Sequence, residues 1–66
     1  MRIDKMNLEI AMSEKSLNFT KLAEKSKVSR ATLSYINNGK SCRPEIVKRI
    51  ATALGVDVSD LIEKEA

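Results

Sequence analysis

The apolar residues of this 66-residue chain recur three and four positions apart, which is the period of an α-helix. In the first segment Leu8, Ala11 and Met12 share one helical face, and they predict a helix over about residues 4–15. No segment alternates apolar and polar residues for long enough to predict a β-strand. Two glycines and one proline divide the rest of the chain into further short helices.

The next segment predicts a short second helix with a polar cap at its start. Asn18 is a suitable N-cap, because its side-chain oxygen can accept a hydrogen bond from a free backbone N–H of the first turn. Phe19, Leu22 and Ala23 then repeat the helical spacing, and residues 26–28 interrupt it. The side chain of Ala23 is small enough to let another helix approach closely.

A third helix is predicted directly after this interruption. Ser29 is a good N-cap, Leu33 and Ile36 fall on one face, and Asn38 with Gly39 supplies a left-handed stop. Val28, in the turn between the second and third helices, is expected to point into the core.

Two more helices complete the prediction. Pro44 suits the first turn of a fourth helix that ends at Gly55, and Ser59 is the predicted cap of a short fifth helix carrying Leu61 and Ile62. The predicted fold is therefore all-α, with five short helices in one domain over residues 1–66. The apolar face of the fourth helix comprises Ile46, Val47, Ile50, Ala51 and Leu54.

Residues 18–39 have the arrangement of a helix-turn-helix, which is two helices of about two turns each joined by a short turn. In such a unit the second helix enters the major groove of DNA, here over about Ser29 to Asn38. An arginine fork can bond guanine, an alanine can meet a thymine methyl, and a tyrosine can reach a base edge or phosphate. If Leu33 and Ile36 face the core, the outward residues are Arg30, Ala31, Ser34, Tyr35 and Asn38.

The charge of the chain is concentrated in its middle. The net charge is +3, yet residues 15–49 hold nine basic residues against two acids, while the flanks hold three against seven. A basic centre between acidic flanks predicts one face for a polyanion. Ser29 and Thr32 at a helix N-terminus can bind phosphate, and Lys40 and Arg43 place two cations in the following loop.

Other classes of function have little support in the composition. The chain has no histidine and one cysteine, Cys42, which leaves no general base of the usual kind, no internal disulfide and no zinc site. No enzyme activity, cofactor or metal is therefore expected, and Cys42 is expected to be a bystander. A lone thiol without a membrane span or signal peptide favours a cytoplasmic protein. Met1 and the early helix cap favour a complete protein over an excised domain.

The residues that carry these features resemble the Cro/CI-type, lambda-repressor-like helix-turn-helix family. The resemblance covers nearly the whole chain without obvious insertions, and its motifs are specific when taken together. The matching stretches are Leu17-Asn18-x-x-x-Leu22-Ala23-Glu24-Lys25, Val28-Ser29-x-x-Thr32-Leu33-Ser34-x-Ile36-x-Asn38-Gly39-Lys40, Arg43-Pro44 and Ile50-Ala51-x-Ala53-Leu54-Gly55-Val56 with Leu61-Ile62.

The resemblance implies five helices and sequence-specific binding to a double-stranded DNA operator, usually as a homodimer, in transcriptional regulation by bacteria or their phages. Val56, Val58 and Leu61 are open to either a small dimer contact or the core. The expected base contacts are Arg30, Ala31, Ser34 and Tyr35. The expected phosphate contacts are Asn18, Ser29, Thr32, Asn38, Lys40 and Arg43.

The chain also departs from the family pattern. Phe19 stands where members usually carry a phosphate-binding glutamine, and Lys27 stands at the usual glycine before the turn. Met12 and Asn37 together replace an arginine–glutamate pair that joins the first and third helices in many relatives. The loss of the glutamine favours an alternative function, a protein-interaction or antitoxin-like module with weak or no specific DNA binding.

Overall fold

The computed structural model describes residues 1–63, which form five α-helices around one core. The all-α prediction is confirmed, and the one extended pairing in this range is an isolated antiparallel bridge between Ile3 and Ile62. No helix in this part of the chain is long and apolar enough to cross a membrane. The helices are α1 (Lys5–Glu14), α2 (Phe19–Ser26), α3 (Arg30–Asn37), α4 (Pro44–Leu54) and α5 (Val58–Leu61).

Polar caps fix the starts of the first three helices. The Asp4 side chain accepts a hydrogen bond from the backbone N–H of Asn7 at 3.0 Å, as an N-cap does. The predicted caps at Asn18 and Ser29 are both confirmed, with their side-chain oxygens 2.8 and 3.1 Å from the amide nitrogens three residues on. Each cap satisfies one amide that the helix itself leaves without a partner.

The fourth helix agrees with its prediction, and the fifth corrects it. Pro44 begins α4 at the position where its missing N–H costs nothing, and Gly55 ends it in the left-handed conformation. The predicted cap at Ser59 is wrong: Asp57 is the N-cap of α5, and its backbone N–H donates to the carboxylate of Asp60 at 3.3 Å. Ile62 was also assigned to this helix, but it lies beyond it in extended backbone.

The core takes one face from each helix. Val28, Leu33 and Ile36 are buried as predicted, and Phe19 packs half-buried against the core. Met6 lies on α1 as an apolar residue, which favours packing against the core, but its side chain is 68% exposed. The buried apolar residues are Ile3, Leu8, Ala11, Met12, Leu22, Val28, Leu33, Ile36, Val47, Ile50, Ala51, Ala53, Leu54 and Leu61.

The two ends of the described chain are joined by backbone hydrogen bonds. The amide of Asp4 donates to the carbonyl of Leu61 at 2.7 Å, and the amide of Glu63 donates to the carbonyl of Arg2 at 2.9 Å. Between them Ile3 is buried in the core. This pairing closes the domain by joining the segment before α1 to the end of α5 and the residues that follow it.

The turn between α2 and α3 contains a non-glycine residue in the left-handed conformation. Lys27 has φ 61° and ψ 29°, at the position where the resemblance leads one to expect glycine. The neighbouring Ser26 is buried, and its hydroxyl donates to the carbonyl of Leu22 at 2.6 Å and accepts from the amide of Val28 at 3.3 Å. Both bonds hold the chain in the shape of the turn on either side of the strained residue.

Replacing Lys27 with glycine is expected to stabilise the protein by about 1 kcal/mol, because glycine adopts positive φ without steric strain, which outweighs its greater freedom when unfolded. The melting temperature should rise by about 4–8 °C, as followed by circular dichroism at 222 nm. Lys25→Gly is the matched control. Lys25 lies inside α2 with ordinary helical backbone, so that variant should lose stability. If the Lys27→Gly protein were no more stable than the wild type, the left-handed backbone of Lys27 would not be a source of strain.

Candidate nucleic-acid interface

The exposed face of α3 is the centre of the candidate interface. Leu33 and Ile36 anchor the helix in the core with 0% and 2% of their surface exposed, so the opposite side is turned to solvent. The four residues predicted to contact bases all lie on this exposed side. They are Arg30, Ala31, Ser34 and Tyr35.

Tyr35 is the largest apolar group on this face. Its side chain is 58% exposed, which leaves both its ring and its hydroxyl accessible from solvent. On a helix the side chains four residues apart are neighbours, so Tyr35 lies beside Ala31 while Ser34 lies beside Arg30. The face therefore presents a cation, a hydroxyl, a methyl group and an aromatic ring within about two helical turns.

The two hydroxyls at the start of α3 are bonded to each other. The Ser29 hydroxyl donates to Oγ1 of Thr32 at 2.8 Å while it accepts from the Thr32 amide at 3.1 Å. One of the two hydroxyl protons is thus used inside the protein, and the other can be donated to a further partner. A phosphate at this helix N-terminus would meet one hydroxyl donor from this pair.

Asn18 offers a similar arrangement at the start of α2. Its side-chain oxygen accepts from the Lys21 amide at 2.8 Å, and the residue is exposed. An asparagine amide that uses its oxygen in this way keeps two N–H donors for other partners. The capping role and a phosphate contact are therefore compatible in this residue.

The remaining predicted phosphate contacts follow α3 in the chain. Asn38 ends the helix, and its backbone N–H donates to carbonyl oxygens of the last turn, which leaves the exposed side chain available. Lys40 and Arg43 are exposed in the loop that leads to α4, and the Arg43 side chain makes no capping bond. These cations thus lie beyond the C-terminal end of α3, whereas Arg30 lies at its start.

The departures from the family pattern are accommodated without a buried unpaired charge. Met12 lies in the core and Asn37 is half-buried, so apolar and neutral groups stand where many relatives carry an ion pair. Phe19 packs against the core and provides no hydrogen-bond donor for a phosphate. Across residues 1–63 every buried side-chain nitrogen and oxygen has a hydrogen-bond partner.

Metal-ligating side chains and the single thiol of Cys42 are two further features of the described residues. No three carboxylate, cysteine or histidine side chains among residues 1–63 come together in a way that could hold a metal ion. Burial raises the pKa of the Cys42 thiol above its usual value, and the nearby N-terminal ammonium offsets only part of this shift. A raised pKa lowers the thiolate fraction at neutral pH and with it the reactivity of this residue.

A second basic surface lies between α2 and α4, and the sequence pattern did not single it out. A groove there is bordered by four cations and by one carboxylate, Glu45, whose oxygen is 3.2 Å from the Arg49 guanidinium. The two helices are distant in sequence, so their juxtaposition follows only from the fold. The cations are Lys25, Lys27, Lys48 and Arg49.

Comparison with known proteins gives one match. A family model described as a Cro/C1-type HTH DNA-binding domain matches residues 7–66, which is nearly the whole chain. No curated protein and no solved structure matches the chain. The match includes all of α2 and α3 and every residue predicted to contact DNA.

Proposed function

Because this chain belongs to the Cro/C1-type helix-turn-helix DNA-binding family, we propose that it is a sequence-specific transcriptional regulator that acts as a repressor. The recognition helix is α3, which contacts bases in the major groove. The observation that carries the proposal is the composition of its exposed face above a fully buried apolar side. The base contacts are Arg30, Ala31, Ser34 and Tyr35.

Phosphate contacts hold α3 in register along the duplex. Donors at the starts of α2 and α3 bind the backbone on one side, and the α3–α4 loop binds it on the other. Such contacts give affinity and orientation, and the base contacts give the sequence preference. The proposed phosphate contacts are Asn18, Ser29, Thr32, Asn38, Lys40 and Arg43.

The regulator binds as a homodimer to a two-fold operator, with half-sites about 10 bp apart from centre to centre. Leu61 is fully buried, so the core accounts for it, and Val56 and Val58 also pack against the core. Met6 and Ile10 lie one turn apart on α1 and are 68% and 51% exposed. Their side chains supply apolar surface for contact with a second copy.

Selection from a random pool of duplex DNA tests the proposal. The purified protein should enrich a roughly palindromic site, and affinity for that site should fall steeply as the salt concentration rises. Enrichment of a single half-site would remove the dimer from the proposal and keep the DNA reader. If no sequence were enriched, specific recognition would be wrong.

The alternative, a protein-interaction or antitoxin-like module, has one observation in its favour. Phe19 at the start of α2 is half-buried and offers no phosphate contact, so one docking point usual in the family is missing. Salt separates the two functions. Phosphate contacts make DNA affinity strongly salt-dependent, whereas contact with an apolar partner surface does not.

Removing one cation from the α3–α4 loop is expected to weaken binding to all DNA sequences alike. Lys40→Ala and Arg43→Ala should each reduce the slope of log affinity against log salt by about one unit, because one phosphate contact is lost. Fluorescence anisotropy on the selected site and on a scrambled duplex measures both quantities. Lys5→Ala, an exposed cation of α1, is the control and should leave the slope unchanged. A selective loss on the selected site would make the mutated residue a base contact instead.

A further inference from the structure

We propose that the groove between α2 and α4 is a docking site for an acidic, partly apolar peptide segment of a partner protein. This groove is separate from the residues proposed to contact DNA. Its lining combines long cationic side chains at the rim with small residues at the floor. The residues are Lys25, Ser26, Lys27, Glu45, Lys48, Arg49, Thr52 and Ala53.

The groove carries a net positive charge, and most of its cations form no salt bridge within residues 1–63. Glu45 is the only acid in the lining, and it already pairs with Arg49. Lys25, Lys27 and Lys48 form no salt bridge with any other residue in the range 1–63. A partner that carries carboxylates would therefore meet cations that this part of the protein leaves available.

The floor of the groove favours a peptide over a nucleic acid. Ser26 and Ala53 are both buried at the floor, and the Ser26 hydroxyl is consumed by bonds to Leu22 and Val28. These two side chains thus offer apolar contact and no free hydrogen-bond donor to a phosphate, while the hydroxyl of Thr52 belongs to an exposed residue of the lining.

Lys27 contributes one cation of the groove from the left-handed position that ends α2. Its left-handed backbone, with φ 61°, is a conformation that glycine would adopt without strain. Strained residues concentrate at functional sites, where the side chain has a role that offsets the cost. Here the strained residue is a lysine, and its side chain lines the groove.

The first test uses an eight-residue synthetic peptide that alternates glutamate and leucine, with a glutamine–leucine peptide as the uncharged control. Titration into 15N-labelled protein should shift the amide resonances of the groove residues and leave those of α3 unchanged. The selected duplex should still bind when the groove is saturated. Shifts centred on Arg30 and Lys40, or competition with the duplex, would overturn the proposal by placing the peptide on the DNA face. Shifts of the groove resonances by the duplex would overturn it in favour of DNA.

Charge reversal provides the second test. The double variant Lys25→Glu/Lys48→Glu should bind the acidic peptide about tenfold more weakly than the wild type, and it should bind the selected duplex with unchanged affinity. Lys5→Glu/Lys15→Glu carries the same change in net charge outside the groove and is the matched control, with melting curves confirming that both proteins fold. Equal losses in the two doubles would show non-specific attraction and overturn the proposal.

Lys27→Gly separates a binding role from a structural one. The variant should melt at a higher temperature and bind the acidic peptide about threefold more weakly, because one rim cation is lost. Improved stability with unchanged peptide affinity would mean that Lys27 takes no part in docking. The groove could also be occupied by a second copy of this chain, and sedimentation of the protein alone tests this. If the protein self-associates and Lys25→Glu/Lys48→Glu abolishes the association, the occupant is a second copy and the proposed partner protein is wrong.

Discussion

Replacing Arg30 with alanine is expected to weaken binding to the selected operator by about 1–3 kcal/mol, or roughly 5- to 150-fold, and to relax the preference at one base pair. Arg30 lies at the start of α3 on its exposed side, in the position from which a recognition helix contacts base edges. A guanidinium donates two parallel hydrogen bonds to guanine, and alanine replaces neither. Anisotropy titrations against the operator and its single-base variants measure both effects.

Arg30→Lys is the informative control for this prediction. Lysine keeps the charge and loses the planar fork, so it should restore the salt-dependent part of the affinity and leave the base preference relaxed. A second arm uses Lys5→Ala on α1, which should change neither quantity. If Arg30→Ala kept the base preference and lost affinity on every sequence, Arg30 would be a phosphate contact. The proposed orientation of α3 in the major groove of DNA would then be wrong.

The Leu33→Ala variant is expected to lose about 2–5 kcal/mol of stability. Leu33 has none of its surface exposed, and it fixes α3 in the core opposite the face proposed to contact DNA. A domain of this length has a free energy of unfolding of only about 3–10 kcal/mol, so the loss would remove a large fraction of its stability. Urea titration followed by circular dichroism gives the change in the free energy of unfolding.

Two variants of the same helix separate packing from surface effects. Ser34→Ala changes an exposed position and should stay within about 0.5 kcal/mol of the wild type. Leu33→Met nearly conserves the side-chain volume and should cost less than about 1.5 kcal/mol. A loss below about 1 kcal/mol for Leu33→Ala would mean that the core closes around the missing atoms, or that α3 is held mainly by other contacts.

Local signals in the sequence were sufficient to predict most of the fold. The caps at Asn18 and Ser29, and the stops at Gly39 and Gly55, depend on residues within a few positions of each other. The error at α5 arose where two good caps stood two residues apart. Asp57 has Asp60 three residues on, and that spacing supplies the reciprocal bond that Ser59 lacks.

Features that depend on distant parts of the chain could not be predicted in this way. Ile3 and Ile62 lie at opposite ends of the sequence, and a single extended pair leaves no period to detect. The α2–α4 groove requires the packing of two helices that neither segment specifies alone. Met6 illustrates the reverse case, because an apolar residue type gives no indication that its position on α1 faces solvent.

The candidate interface was also predicted only in part. The exposed face of α3 follows from its buried face, since the helical period relates the two. The hydrogen bond between Ser29 and Thr32 does not follow from the sequence, because each hydroxyl could equally have faced solvent. That bond uses one of the two hydroxyl protons inside the protein, and this pairing required the structure.

The pairing of residues 2–4 with residues 61–63 has a consequence for synthesis of the protein on the ribosome. Ile3 is synthesised well before α5, so the backbone groups beside it find their partners only when Leu61 and Glu63 have emerged from the exit tunnel. Until then the nascent domain holds an unpaired extended segment and an incomplete core. Folding of this domain to the native state is therefore completed only after residues 61–63 have been translated, so a ribosome stalled upstream of Leu61 would display a helix-turn-helix whose residues 2–4 are still undocked.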